Sequence, residues 1–290
     1  MSDYKVITLK QSKKRRQIKE LSWKTLWYII LSIGAFTMLI PLLWMISTSL
    51  KVPGAVFTFP PQWIPRPVLW RNYIDAWRAV PFGRFYINSL AVAFVTTSGV
   101  LLTSSLAGYA FSRLEFPGRD KIFFLYLATM MLPGAVTMIP TFILMKNIGW
   151  VDTYKALMIP TIFTAYGTFL LRQFFMSLPS ALEDAARIDG CTKLGIYWHV
   201  ILPLSKPALA TLGTMSFIGS WNNFMWPLIM INSVEKKTLP IGLASFQGLY
   251  STDWTLLMAA SIIVMIPALI VFVFAQRYFV EGIKLSGVKF

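Results

Sequence analysis

The sequence predicts an all-α membrane protein with six transmembrane helices and one long amphipathic cytoplasmic loop. Three observations carry this. Hydrophobic residues make up 56% of the 290 positions and charged residues 13%, against roughly 25% charged in soluble domains, and mean hydropathy is +0.61. Six apolar stretches reach the roughly 20 residues that a span requires. The basic residues behind the net charge of +15 divide unevenly between the two sides that those stretches define. So few charges cannot cover a compact soluble enzyme, and so many large apolar residues exclude disorder. One Cys excludes an internal disulfide, and one His argues against a multi-His metal site.

In chain order, residues 1–24 are polar and basic. Lys5, Lys10, Lys13, Lys14, Arg15, Arg16, Lys19 and Lys24 suit a juxtamembrane run beside anionic membrane lipid, so no nucleic acid is expected as a partner. The first span, 25–47, has no charge from Leu26 to Ser47 and carries Trp23, Trp27 and Trp44 near its ends, as an aromatic belt does. It is long and lacks a small-residue cleavage pattern, which favours a retained anchor over a signal peptide. Residues 51–85 contain six prolines and predict an irregular connection with a short helix near Asn72–Arg78. Further spans are expected at 86–108, 122–145, 156–176, 208–231 and 256–279. Pro133, Pro140, Pro160 and Pro267 fall inside them and mark candidate kinks.

Six spans place both termini on one side. That side collects 18 of the 27 Lys and Arg residues, so the positive-inside rule assigns it to the cytoplasm.

The connection from Met176 to Pro207 is too long and too patterned for a passive linker. Pro179 suits a first helical turn. Ser180 and Glu183 have capping-box spacing. Ala181, Leu182, Ala185, Ala186 and Ile188 form an apolar face, and Gly190 is placed to end the helix in a left-handed conformation. A second short helix is expected from Lys193 to about Val200, stopped by Pro203. Two readings fit these residues: a helix lying on its own bundle, or a helix offered to a partner's groove.

Asp184-Ala185-Ala186, three residues, Gly190, nine residues, then Val200-Ile201-Leu202-Pro203 closely resembles the EAA loop of ABC importer permeases, with Asp184 for Glu and Val200 for Ile. Trp221-Asn222-Asn223-Phe224, Trp226-Pro227-Leu228 and the ending Gly287-Val288-Lys289 resemble the maltose-transporter type of sugar permease. The resemblance implies the type I importer fold: a basic segment 1–24, a six-span permease domain 25–279 with its EAA loop at 176–207, and a cytoplasmic tail 280–290. It implies a plasma-membrane importer subunit for a sugar or oligosaccharide, working by alternating access. The EAA helix docks on a separate ATPase, and Glu183, Asp184, Ala185, Ala186, Asp189, Gly190, Leu202 and Pro203 are expected at that interface. ATP and Mg²⁺ belong to the ATPase, because this chain has no Gly-x4-Gly-Lys-Ser/Thr loop and no cofactor or metal site of its own is expected. Implied partners are a second homologous permease, two ATPase subunits and an external solute-binding protein. In related permeases the tail reaches between ATPase subunits; a frayed terminus is the plainer reading.

Span five places Gly213, Ser216, Ser220 and Asn223 at helical spacing, which suits either close packing or a polar path. Asn88, Ser216, Ser220, Asn222 and Asn223 are the candidate path residues. Gln247, Gly248 and Tyr250, in the external loop Asn232–Trp254, are the candidate contacts to a binding protein. A permease for another small polar solute is the nearest alternative. A secondary transporter would normally place acids at mid-span, and an intramembrane enzyme would need partners for the lone His199.

Overall fold

Hydrocarbon offers backbone N–H and C=O groups no water, so apolar stretches satisfy them within helices. The chain is helical nearly throughout. The computed structural model describes residues 2–248 and 252–287, with side chains over 20–248 and 252–278. Tyr250 lies outside the described residues, as do the side chains of the tail 280–290.

Helix α1 (Ser2–Ser49) runs without a break through the expected boundary at residue 24. The Pro-rich connection follows, with α2 at Arg71–Ala79 as the sequence predicts. Asn72 ties this connection down: its Nδ2 donates to Ser49 O at 2.9 Å and Lys51 O at 2.8 Å. Lys51 is 1% exposed, and its Nζ lies 3.8 Å from the Trp44 ring centroid, a cation–π contact. Burial pushes its ammonium pKa down.

Helix α3 (Phe82–Arg113) is the central rod, about 48 Å long at 1.5 Å per residue. The third apolar stretch is α4 (Arg119–Ala128) and α5 (Gly134–Asn147), bent by 101° across a turn at Pro133. The fourth is also two pieces, α6 (Tyr154–Ile162) and α7 (Ala165–Ser177), because Phe163 and Thr164 are extended. The loop holds α8 (Ala181–Ile188), α9 (Lys193–Ile196), a π turn at Tyr197–Ile201 and α10 (Leu202–Leu204). A 78° bend leads into α11 (Lys206–Trp221). Short helices α12 (Met225–Met230) and α13 (Leu239–Ala244) precede α14 (Trp254–Gly287).

Among the described residues, three helices are long and apolar enough to span alone, and up to five spans result if each bent pair counts as one. Two expected stretches are not among them: neither α6 nor α7 reaches across 156–176 by itself, and the second bent pair joins Lys193–Leu204 of the loop to α11, while 208–231 is broken between α11 and α12. Hydropathy sums composition and is blind to a two-residue break in the helical ladder.

Three cores surround α3, which packs against α6, α7 and α11. Phe82, Phe85, Trp221 and Leu239 centre one cluster with α14, toward the end of α3 that begins at Phe82. Tyr109, Phe175, Ile196, Tyr197 and Ile201 centre another, toward Arg113. A third joins Val92, Met145, Leu157 and Met230. Gly242 is needed where α13 meets α3: a Cβ there would stand 2.4 Å from Phe85 Cδ2. Helix α1 leaves its apolar side chains exposed from Leu21 to Leu39, a surface suited to lipid or another chain.

Candidate functional site

Helix α8 ends as its sequence predicts. Gly190 has φ +83. Its N–H donates to Arg187 O at 3.0 Å and the Cys191 N–H donates to Ala186 O at 2.9 Å, a Schellman closure. Other details differ. Ser180 is helical and caps nothing. Glu183 does not close a capping box; it is turned inward, where its Oε1 lies 2.9 Å from Arg113 Nε. The approach is off the N–H axis, so the contact is an ion pair rather than a hydrogen bond. Pro203 does not stop the second helix. The π turn sends the Leu202 N–H to Tyr197 O, the helix resumes through Pro203, and it ends at Ser205, whose hydroxyl donates to Ile201 O at 2.7 Å.

These contacts sort the loop into a seat and a face. Glu183 and Ala186 are buried against the bundle, and Leu202 is half-buried there. Small Ala186 thus allows close approach to this chain's own helices. Asp184, Ala185, Asp189, Gly190 and Pro203 are exposed, and Asp184 pairs with Arg187 at 3.3 Å. The apolar residues of the exposed side are large: Ile188 is 87% exposed, with Leu182, Leu194 and Trp198 also uncovered. An uncovered apolar patch on a long, fully structured loop marks an interaction surface or a lipid contact.

The seat is held from α3. Arg113 also donates from Nη2 to Phe175 O and to Leu178 O, the latter at 2.6 Å, at the end of α7. Tyr109 donates to Lys193 O at 3.0 Å. Ser105 and Tyr197 share a buried hydrogen bond of 2.7 Å. Three residues on one face of α3 therefore grip α8, α9 and the π turn. No spacing rule in the loop itself points to Arg113, 70 residues away.

A cavity of about 210 Å³ lies among α3, α6, α11 and α12. One water needs only roughly 10–15 Å³. Its polar wall consists of Ser89, Thr96, Thr161, Thr164, Ser216, Ser220, Asn223 and Thr238, with no ionisable side chain in the lining. Thr96 and Thr238 are buried, and their hydroxyls find no partner among the described residues. Of the candidate path residues, Ser216, Ser220 and Asn223 line this cavity. Gly213 instead packs against Leu101 of α3. Asn222 caps α11 in an exposed position away from the cavity. Asn88 is consumed elsewhere: its Nδ2 donates to Glu235 O and Lys237 O, and its Oδ1 accepts from the Tyr154 hydroxyl at 2.8 Å. The threonines of α3 and α6 escape sequence reading, because isolated hydroxyls in an apolar helix normally bond their own backbone.

Gln247 and Gly248 are exposed beside an isolated antiparallel bridge between Gln247 and Thr252. Among the described residues, no group of three or more His, Cys, Asp or Glu is placed to hold a metal.

Comparison with known proteins agrees with this architecture. Residues 13–285 match the model of the family "Binding-protein-dependent transport system inner membrane component". An arabinooligosaccharides transport system permease of Halalkalibacterium halodurans is 37% identical over 95% of this chain and 99% of its own length. An sn-glycerol-3-phosphate transport system permease of Yersinia pestis is 37% identical over 88% of this chain and 94% of its own. A bacterial ABC transporter involved in the import of the acidic polysaccharide alginate superposes with a TM-score of 0.79 at 27% identity, covering 87% of this chain and 94% of that one. The likeness spans nearly the whole chain in sequence and in fold, and the chain belongs to the binding-protein-dependent transport system inner membrane components, as a carbohydrate-type ABC importer permease that is not itself catalytic.

Proposed function

We propose that this chain is the six-span permease subunit that passes a neutral sugar or oligosaccharide through the cavity between α3, α6 and α11. The observation that carries this reading is the wall of hydroxyl and amide groups without a charge. Sugar hydroxyls exchange hydrogen bonds with such groups, whereas an anion crossing a low-dielectric path needs a cation beside it. The arabinooligosaccharide permease is the relative that fits this wall.

Movement comes from a separate ATPase that binds ATP and Mg²⁺. It meets the exposed side of α8: Asp184, Ala185, Asp189 and Gly190, with Ile188 as the apolar anchor. Glu183, Ala186 and Leu202 seat the loop, and α3 carries its motion to the cavity. A second homologous permease completes the path, an external binding protein delivers the solute near Gln247 and Gly248, and both termini face the cytoplasm of the inner membrane.

Reconstitution of the chain with its partner permease, ATPase and binding protein tests the reading. Stimulation of ATP hydrolysis is expected with neutral oligosaccharides and not with uronates or sugar phosphates of equal size. Stimulation by the anions alone would overturn it.

A further inference from the structure

A strap, Ile231 to Leu239, runs between α12 and α13 beside the cavity. Thr238 of the strap is part of the cavity wall. Side chains from α3 and from the turn before α6 hold its main chain. Asp152, just before α6, accepts from the Asn232 N–H at 3.1 Å, from the Ser233 N–H at 3.0 Å and from the Ser233 hydroxyl. Lys236 Nζ reaches back to Asp152 O at 2.7 Å and to its carboxylate at 3.1 Å. Asn88 of α3 donates to Glu235 O at 2.8 Å and Lys237 O at 2.9 Å, and its neighbour Ser89 accepts from the Leu239 N–H at 2.8 Å.

Asp152 has φ +61, a conformation unfavourable for an L residue, and its N–H donates to Met230 O at 2.8 Å. The Ser233 hydroxyl and amide hold its carboxyl well below the usual carboxylate range. Such a local conformation persists only where its surroundings over-determine it. The joint is also wettable: the Asp152 and Lys236 side chains are 25% and 38% exposed. Water can replace these bonds one for one, so the joint can open and close.

From this we infer that the strap is the outer gate of the cavity, with Asp152 and Asn88 as its two latches. The inference rests on the proposed transport role, and it gives the strap a task beyond contact with a binding protein. Asp152 and Asn88 are positioning residues: they touch the gate, not the solute.

The test uses the assembled importer in nanodiscs. The pair Asp152→Cys with Ser233→Cys replaces the latch by a covalent one, and the parent chain under the same oxidant controls for Cys191. Oxidation should cut transport at least tenfold while the ATPase stays bound, and reductant should restore it. Reopening also shows that the variant folds. Asp152→Asn, which weakens a charge-assisted latch, should raise ATP hydrolysis without binding protein by about tenfold, since each tenfold shift is 1.4 kcal/mol. Parental transport through the oxidised pair overturns the gate, and so does parental basal hydrolysis in Asp152→Asn. If the parent chain captures no ATPase, the transport reading fails instead.

Discussion

Glu183 offers the sharpest test of how the loop is built. Its carboxylate is 5% exposed and its partner Arg113 13% exposed. Removing one member of a buried pair leaves the other charge uncompensated, at a cost of about 3–5 kcal/mol. Arg113 keeps two carbonyl partners at Phe175 and Leu178 in Glu183→Ala, so the lower end applies, about 3 kcal/mol. At roughly 2–4 °C per kcal/mol for chains of this size, the apparent melting temperature of the purified permease should fall by about 6–12 °C. Arg113→Leu should cost more, because it also orphans the two carbonyls. The double variant Arg113→Leu, Glu183→Leu should cost less than the sum of the singles by at least about 1.5 kcal/mol. Tryptophan fluorescence melting in detergent measures all three. A Glu183→Ala shift under 2 °C with additive singles would refute a load shared between α3 and α8.

Ala185, one helical position from the seat, should behave oppositely. Ala185→Asp should lower copurified ATPase about tenfold, a loss of about 1.4 kcal/mol, with melting unchanged; Ala186→Asp instead buries a charge and should unfold the loop, so only the first variant reports docking. Thr96→Val removes a buried hydroxyl that lacks a partner and should stabilise the chain by about 1 kcal/mol; if sugar uses that hydroxyl, the solute concentration for half-maximal transport should rise about fivefold, and an unchanged value would remove Thr96 from the path. Gly242→Ala forces a methyl into the Phe85 ring and should cost about 1–3 kcal/mol, read as lost monodisperse yield in size exclusion. Asp152 has its pKa depressed from 3.8, so its stabilisation is full above the unfolded pKa and disappears as pH falls through the folded value. The melting difference between the parent and Asp152→Asn should therefore stay constant from about pH 5 to 8 and narrow only in stronger acid.

The loop shows how far local signals reach. Gly190 was legible because one position with positive φ ends a helix whatever surrounds it. The direction in which α8 faces was not legible. Ala181, Leu182, Ala185, Ala186 and Ile188 read as one apolar face that fits either the bundle or a partner, yet of these only Ala186 is buried, together with Glu183, because the site opposite offers a cation from α3. Span five divides in the same way. Its small residues at helical spacing were visible, but whether each packs or lines space depends on the neighbour: Gly213 meets Leu101, while Ser216 and Ser220 meet a void. Asn88 drew notice as an amide in an apolar run, and its partners were invisible, being the carbonyls of Glu235 and Lys237 nearly 150 positions along.

By itself the sequence determined the membrane solvent, the all-α class and the turn that ends α8 at Gly190. These depend on sums along the chain and on single-residue torsions, which need no partner. Tertiary structure alone decided the break at Phe163 and Thr164, which face of α8 is seated, and which hydroxyls enclose the cavity. Each of those turns on a hydrogen bond, ion pair or gap shared by residues far apart in sequence, and its free energy exists only once the helices have packed.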